Sequence, residues 1–248
     1  MKITRIYRGE DIHSPLLFEH NKSYNKRPSW IRINNCDEDL QFIKIMINEE
    51  AFWYRRYFQN YFFPLNNTSE DYKEYYNEIA SSYENLVPQN VEIANFIVQQ
   101  LEKEQIPVHA TIFEIGAGTG LVSEVVAKKG YPNLTLLDIS NKSLEIAQKK
   151  MALKNCTYIV GDIKKYHSPY KFDVILNSMS LDYFHEEELD SIIKNIKTML
   201  KPQGLFISVD RHIYPQYSKY FKNGKESYFN LSTPEGTWRY DYFISKNE

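Results

Sequence analysis

The sequence predicts an α/β fold, doubly wound around a mostly parallel seven-stranded sheet that ends in an antiparallel hairpin, with an N-terminal helical extension. Three observations predict this fold. Short apolar runs alternate with helical patterns from about residue 112 onward, a glycine-rich turn joins the first run to the first helix, and two strand-like runs flank a turn near the C-terminus. Buried parallel strands read as continuous apolar runs separated by helices, so we expect a sheet covered on both faces.

The elements follow in order along the chain. Short apolar runs predict five parallel strands at residues 111–115, 134–138, 156–160, 172–176 and 205–209. Helical spacing predicts crossover helices at residues 121–129, 144–152 and 186–200, the last stopped by Pro202. Two further strands, residues 227–231 and 238–244, flank the turn "STPEGT" and predict the terminal hairpin.

The N-terminal part has a different pattern. Helical spacing predicts helices over residues 39–63, 69–84 and 88–104, and Pro64 ends the first of them. The helix over 39–63 is apolar and aromatic on two sides, so both sides must be covered, by the sheet domain, by the first thirty residues or by a ligand. We therefore divide the chain into residues 1–75, a helical extension and substrate lid, and residues 76–248, the ligand-binding domain.

Composition excludes several classes of function. The 248 residues have a net charge of −2, so extended contact with nucleic acid is not favoured, although the N-terminal arm is locally basic. Cys36 and Cys156 are far apart and show no metal-ligand spacing, so we predict no metal site and a reducing, cytoplasmic environment. No long apolar run could span a bilayer, and we expect no membrane association.

The stretch "EIGAGTG", residues 114–120, is the strongest ligand signal in the chain. Its glycines allow a sharp turn and a close approach of ligand to backbone, and the following helix directs free amides at that ligand. A dinucleotide fingerprint needs a third glycine three residues after Gly118, where this chain has Leu121. A carboxylate at Glu114 would repel a pyrophosphate and suits a ligand that carries positive charge. Together these points argue against NAD.

Four motifs in order, "FEIGAGTG", "LLDIS", "GDI" and "FDVIL", each lie at the end of a predicted strand. Over residues 75–243 this set resembles the class I S-adenosylmethionine-dependent methyltransferases, a Rossmann-like family. The resemblance implies S-adenosyl-L-methionine as cofactor. It implies contacts to the methionine part of the cofactor at Glu114, Gly116, Ala117 and Gly118, and again at Asn177 and Ser178. It implies contacts to the ribose at Asp138, to the adenine face at Ile139, and to the adenine edge at Asp162 and Ile163.

A further stretch, "YYNEIASSYE", is similar to a helix that precedes this domain in ubiquinone-type members. The similarity implies a cofactor contact at Tyr76, although Asn77 stands where that pattern has aspartate. Simpler interpretations stay open. Tyr76 and Tyr83 can form part of a helical core stripe, Asp138 can cap the next helix, and Asp162 can be a turn residue.

The segments after the fourth and fifth strands supply candidates for acceptor binding and catalysis. Methyl transfer from a sulfonium is a direct displacement, so orientation and exclusion of water matter most, and a base is needed only for a protonated acceptor. His185 and His212 are candidate bases, with capping as the alternative for His185. We add Asp182 and Tyr183 as catalytic candidates, while Asp182 or Asp210 can instead hold a cationic amine.

The sequence therefore predicts a methyltransferase that modifies an N or O atom of a small organic or peptidic acceptor, in specialised metabolism. The aromatic N-terminal extension favours an apolar or aromatic acceptor. Two alternatives stay open: a nucleotide-dependent oxidoreductase, and a non-catalytic cofactor-binding regulatory subunit.

Overall fold

The computed structural model describes residues 68–87, 90–184, 186–233 and 236–248. The chain divides after Val87 into two compact units. The helix predicted over residues 39–63 lies outside the described residues. The predicted division between residues 75 and 76 stays a prediction.

In the first unit, the described residues form two short helices. Helix α1 is Ser69–Ile79, a 3-10 turn covers Ala80–Ser82, and helix α2 is Tyr83–Leu86. A single helix over residues 69–84 was predicted, and the break falls on a serine pair with lower helix propensity than the residues around it. The ring of Tyr76 makes edge contacts with Tyr75 and Tyr83, at centroid distances of 5.0 and 6.1 Å.

In the second unit, within the described residues from 90 onward, seven strands form one sheet in the order β3-β2-β1-β4-β5-β7-β6. The strands are β1 Ile112–Ile115, β2 Leu134–Asp138, β3 Thr157–Val160, β4 Phe172–Ser178, β5 Leu200–Asp210, β6 Lys225–Thr233 and β7 Gly236–Lys246. The helices are α3 Asn90–Lys103, α4 Leu121–Lys128, α5 Asn141–Lys149, α6 Glu186–Met199 and α7 Pro215–Tyr220.

Strand pairing confirms the predicted fold class. Strands β1 to β5 pair in parallel, while β7 pairs antiparallel with both β5 and β6. The chain runs from β1 outward to β3 and then returns to β4 on the other side of β1. Ligands of such sheets bind at the carboxyl ends of the strands at this reversal, here between β1 and β4.

Two apolar layers cover the sheet. One layer joins alternate strand residues such as Leu136 and Leu176 to helices α3, α4 and α5. The other joins Phe113, Ile175 and Phe206 to helices α6 and α7. Because strand side chains alternate between faces, this division decides which helix covers each polar residue at the strand ends.

Further local features of the second unit differ from the prediction. Helix α5 ends at Lys149 and a separate 3-10 turn covers Met151–Leu153, where one helix over residues 144–152 was predicted. Strand β3 lies at the edge of the sheet, with β2 as its one strand neighbour among the described residues. The side chains at its two ends are exposed, Val160 at 56%, whereas a strand covered on both faces was predicted. Helix α7, which begins at a proline, was not predicted.

No helix in the described part of the chain has both the length and the apolar character that crossing a bilayer requires.

Candidate cofactor and acceptor site

The glycine loop has the strained backbone that its composition predicts. Gly116, Gly118 and Gly120 have φ values of 63°, 55° and 75°, in the left-handed region that other residues adopt at a cost. Gly120 is the N-cap of α4, and its carbonyl accepts the amide of Glu124 at 2.8 Å. The amide of Ala117 donates to Leu137 O at 3.0 Å, which joins the loop to β2. The loop therefore turns sharply at the carboxyl end of β1.

The segment after β4 packs directly on this loop. A Cβ at Gly116 would lie 2.0 Å from the Oγ of Ser180 and 2.6 Å from its Cβ. The Ser180 hydroxyl lies 3.2 Å from Ile115 O, so it also bonds the last residue of β1. Met179, beside it, has φ 59°, an uncommon value for a residue with a side chain. Ser180 was not predicted as a site residue, because nothing local in the sequence relates it to Gly116.

Asp138 holds the loop from the end of β2. Its Oδ2 accepts the amide of Gly118 at 2.7 Å, and its Oδ1 accepts the amide of Ser140 at 2.7 Å. Burial raises the pKa of the Asp138 carboxyl to about 6, although bonds from Ser140 and Gly118 lower it. The N-cap of α5 is Ser140, whose Oγ accepts the amide of Ser143 at 3.0 Å. Asp138 therefore supports the glycine loop and is not the cap, and each carboxylate oxygen has lone-pair capacity for a further donor.

Glu114 lies on the same side of the sheet and is 2% exposed. Its Oε2 accepts a hydrogen bond from the hydroxyl of Ser123 on α4. Burial raises the pKa of the Glu114 carboxyl to about 7; the bond from Ser123 and the charge of Lys150 lower it, and the charge of Asp138 raises it. A positive charge near Glu114 would favour the ionised form, as the sequence-based assignment to a cationic ligand requires.

The end of β4 carries a fully buried amide. Asn177 is in register with Ile115 of β1 and Ser208 of β5. Its Nδ2 donates to Ser208 Oγ at 2.8 Å and to Asp210 Oδ2 at 2.5 Å. Ser178, the next residue, has a buried hydroxyl with no hydrogen-bond partner among the described residues. Both residues lie next to the glycine loop, and their predicted contact with the methionine part of the cofactor stays a prediction.

The predicted adenine contacts lie at the ends of β2 and β3. The amide of Gly161 donates to Asp138 O at 2.9 Å, which places the two strand ends side by side. Asp162 Oδ1 accepts the amide of Lys164 at 2.9 Å, so this carboxylate stabilises a turn, as its alternative interpretation requires. Ile139 is half-buried, whereas Ile163 is 5% exposed within the core. Their contact with adenine stays a prediction.

Two of the catalytic candidates lie beside an arginine. Asp182 Oδ2 accepts the Nε of Arg211 at 2.6 Å, and the Asp182 side chain is 4% exposed. The guanidinium of Arg211 lies 5.8 Å from the ring centre of Tyr183. His212 is exposed, and its ring lies edge-on to Tyr214 at 4.6 Å. The fourth candidate, His185, lies outside the described residues, and all four roles stay predictions.

Several residues that hold this site together were missed, namely Ser123, Ser140, Ser208 and Tyr217. A signal existed for two of them. Ser140 directly precedes a helical pattern, as N-caps do, and Ser208 lies two positions before Asp210 in a strand, hence on the same face.

Known proteins resemble this chain in both sequence and fold. Residues 112–204 match a family model described as a methyltransferase domain. Over 168 residues the chain is 26% identical to a malonyl-(acyl-carrier protein) O-methyltransferase of Priestia megaterium, a match that covers 65% of this chain and 60% of that protein. Over 149 residues it is 28% identical to EEF1A lysine methyltransferase 2 of Danio rerio, covering 56% of this chain and 64% of that protein. The chain thus spans less than two thirds of either relative.

Among solved structures, the magnesium protoporphyrin IX methyltransferase (ChlM) from Synechocystis PCC 6803, with bound SAM, superposes with a TM-score of 0.60 at 15% identity. That superposition covers 73% of this chain and 97% of the other. Residues 112–204 thus match a methyltransferase domain, and the family model, the relatives and the ordered motifs at four strand ends agree in their similarity to the class I S-adenosylmethionine-dependent methyltransferases.

Proposed function

We propose that this chain binds S-adenosylmethionine across the carboxyl edge of its sheet and transfers the methyl group to an N or O atom of a small organic or peptidic acceptor, in specialised metabolism. The observation that carries the proposal is Asp138, a buried carboxylate at the end of β2 that accepts the amide of Gly118, in the loop after β1, at 2.7 Å. This carboxylate supports the glycine loop and can also accept hydrogen bonds from the ribose hydroxyls of the cofactor.

The charges of the site suit this cofactor better than a dinucleotide. Glu114 and Asp138 are both buried acids with raised pKa values at the ends of neighbouring strands. A pyrophosphate would add like charge to them, whereas a sulfonium and an ammonium group would offset the cost of burying them.

The chemistry asks little of the protein beyond binding, since S-adenosylmethionine supplies an activated methyl group when bound. The chain's own residues hold the loop, orient the two reactants and exclude water. We place the acceptor beyond β4 and β5, where Asp182, Tyr183 and His212 follow the strand ends. The names of the relatives include an O-methyltransferase and a lysine methyltransferase, which supports either an oxygen or a nitrogen acceptor.

Calorimetric titration with S-adenosylmethionine, S-adenosylhomocysteine and NAD tests the cofactor assignment. We expect the two adenosyl sulfur compounds to bind and NAD to be silent. Asp138→Ala should abolish binding, and Asp138→Asn should weaken it by more than about tenfold, because its new NH₂ must face a backbone N–H.

Asp173→Asn is the matched control. Asp173 Oδ2 accepts the Thr111 amide at 2.8 Å and Lys201 Nζ at 2.8 Å, at the opposite, amino edge of the sheet. This variant should lose stability and keep cofactor affinity. Equal affinity in wild type and Asp138→Ala, or binding of NAD alone, would contradict the proposal. Formation of S-adenosylhomocysteine in the presence of one member of a panel of amines, hydroxyls and carboxylates then identifies the acceptor. Tight cofactor binding without turnover of any of them favours the regulatory alternative.

A further inference from the structure

A second polar group, separate from the glycine loop, lies beneath α7 at the ends of β4 and β5. We call Asn177, Ser208, Asp210 and Tyr217 the Asp210 cluster; each of the four is 0% exposed. Asp210 Oδ2 receives three hydrogen bonds, from Asn177 Nδ2 at 2.5 Å, Ser208 Oγ at 3.0 Å and Tyr217 OH at 3.3 Å. None of these three donors is a cation.

Two oxygens of this cluster, one on Asp210 and one on Asn177, accept no hydrogen bond from the described residues. Asp210 Oδ1 and Asn177 Oδ1 are both buried and have no hydrogen-bond partner among the described residues. Both atoms are acceptors if Asp210 is ionised, so neither can satisfy the other. A buried oxygen without a hydrogen bond is destabilising. Here two such oxygens lie on side chains that already share a hydrogen bond, so one donor between them would satisfy both.

A proton on Asp210 Oδ1 supplies that donor. A carboxylic acid and a primary amide can form two opposed hydrogen bonds, in which the amide NH₂ donates to one acid oxygen and the acid O–H donates to the amide oxygen. The first of these bonds is the 2.5 Å contact from Asn177 Nδ2. The second would satisfy both remaining oxygens at once.

The charges around Asp210 agree with a neutral acid. Burial, and then the charge of Asp182, raise the pKa of Asp210 well above its usual value, and the bonds from Ser208, Asn177 and Tyr217 only partly offset this. The nearby cation, Arg211, is paired with Asp182 through Oδ2. Burial and the charge of Asp210 raise the pKa of Tyr217, and burial followed by the charges of Asp182 and Asp210 raises the pKa of Tyr214, so both phenols stay protonated and neutral.

We propose that Asp210 is a positioning residue, held as a neutral carboxylic acid whose proton is donated to Asn177 Oδ1, and that this pair fixes Asn177 beside the glycine loop. Asn177 is in register with Ile115, the residue before Gly116, so its orientation sets the end of β4 against the loop. The functional part of this inference rests on the proposed function, because it assigns the pair to the cofactor site. A neutral Asp210 is no counter-ion for an amine acceptor, which leaves that role to Asp182.

Infrared difference spectroscopy tests the proton directly and needs no cofactor. At neutral pH the wild type should show the carbonyl band of a protonated carboxylic acid that Asp210→Asn removes. Glu114→Gln and Asp138→Asn, the other buried acids with raised pKa values, serve as matched controls and should leave that component in place. Absence of an Asp210-dependent band would overturn the inference whatever the outcome for the cofactor.

Cofactor titration tests the positioning role. Asp210→Ala should lower the affinity for S-adenosylmethionine by roughly tenfold, because it leaves the buried Asn177 amide with its bond to Ser208 alone and its Oδ1 without a donor. Asp210→Asn should restore most of the affinity through an amide–amide pair. The exchange variant Asn177→Asp with Asp210→Asn keeps one acid and one amide, and should bind more tightly than Asn177→Asp alone.

Two further results would overturn the assignment. If Asp210→Asn is as defective as Asp210→Ala, Asp210 acts as an anion. Asp182 Oδ1 is also buried and has no hydrogen-bond partner among the described residues. If Asp182→Asn removes the infrared band, and the exchange variant binds the cofactor no more tightly than Asn177→Asp alone, the proton is shared with Asp182. If wild type does not bind S-adenosylmethionine but the band is present, the proposed function fails and the neutral acid stands.

Discussion

The contact between Gly116 and Ser180 allows the effect of one methyl group to be worked out. Gly116→Ala places a Cβ on a backbone with φ 63°, which costs about 1–2 kcal/mol for a residue with a side chain. The same Cβ would lie 2.0 Å from Ser180 Oγ and 2.6 Å from Ser180 Cβ. Rotation of the serine can remove the first contact but not the second, so the backbone must shift, which costs about 1–3 kcal/mol more. We expect a total loss of about 2–5 kcal/mol in the free energy of unfolding.

A double-mutant cycle separates the two parts. Ser180→Gly removes both close atoms and leaves the Cα at 3.9 Å, an ordinary contact. The pair Gly116→Ala with Ser180→Gly should therefore be less destabilised than the sum of the single variants, by about 1–3 kcal/mol. Urea unfolding of the apo protein, followed by far-UV circular dichroism, measures all four species.

Gly130→Ala is the control for the backbone part. Gly130 has φ 101°, but its added Cβ would meet only Val108 Cγ1 at 3.9 Å. This variant should lose about 1–2 kcal/mol, with no steric component. Additivity of Gly116→Ala and Ser180→Gly within about 0.5 kcal/mol would refute the steric argument.

Two further predictions concern the loop and the buried acids. Gly120→Ala should cost about 2–5 kcal/mol, because its φ is 75° and the new Cβ would lie 2.7 Å from Leu153 Cδ1 and 2.9 Å from Ala147 Cβ; urea unfolding checks this, and a loss below about 1 kcal/mol would contradict it. In the folded state the pKa of Glu114 is raised from 4.5 to about 7, and that of Asp138 from 3.8 to about 6. Between these values the folded protein keeps protons that the unfolded chain releases. The free energy of unfolding of the apo protein should therefore fall as pH rises from about 4 to about 7. Glu114→Gln should flatten this fall by about 3 kcal/mol in a series of urea titrations across that range, and parallel curves for the two proteins would show that Glu114 is not the group.

The elements of the second unit could be predicted because their signals are local. Strand β2 appears at the predicted residues, and helix α4 begins at Leu121 as predicted. Apolar periodicity reports which side of a segment is buried, and glycines report a backbone with positive φ, so each needs only a few neighbouring residues to be read. Helix α7 was missed because Pro215–Tyr220 spans only six residues, too few for a period of 3.6 to be seen.

The sequence by itself determined the succession of strands along the chain, the parallel sheet and the place of the glycine loop. Only the tertiary structure decided which polar side chains meet at the sheet edge. Asn177 and Asp210 are 33 positions apart, and Ser180 lies 64 positions from Gly116. Contacts at that separation depend on strand order, register and the face to which each side chain points, and a register shift of one residue would turn Asn177 away from Asp210. The physical reason is that local patterns record burial, while hydrogen-bond partners, and the protonation states that follow from them, are set by packing between distant segments.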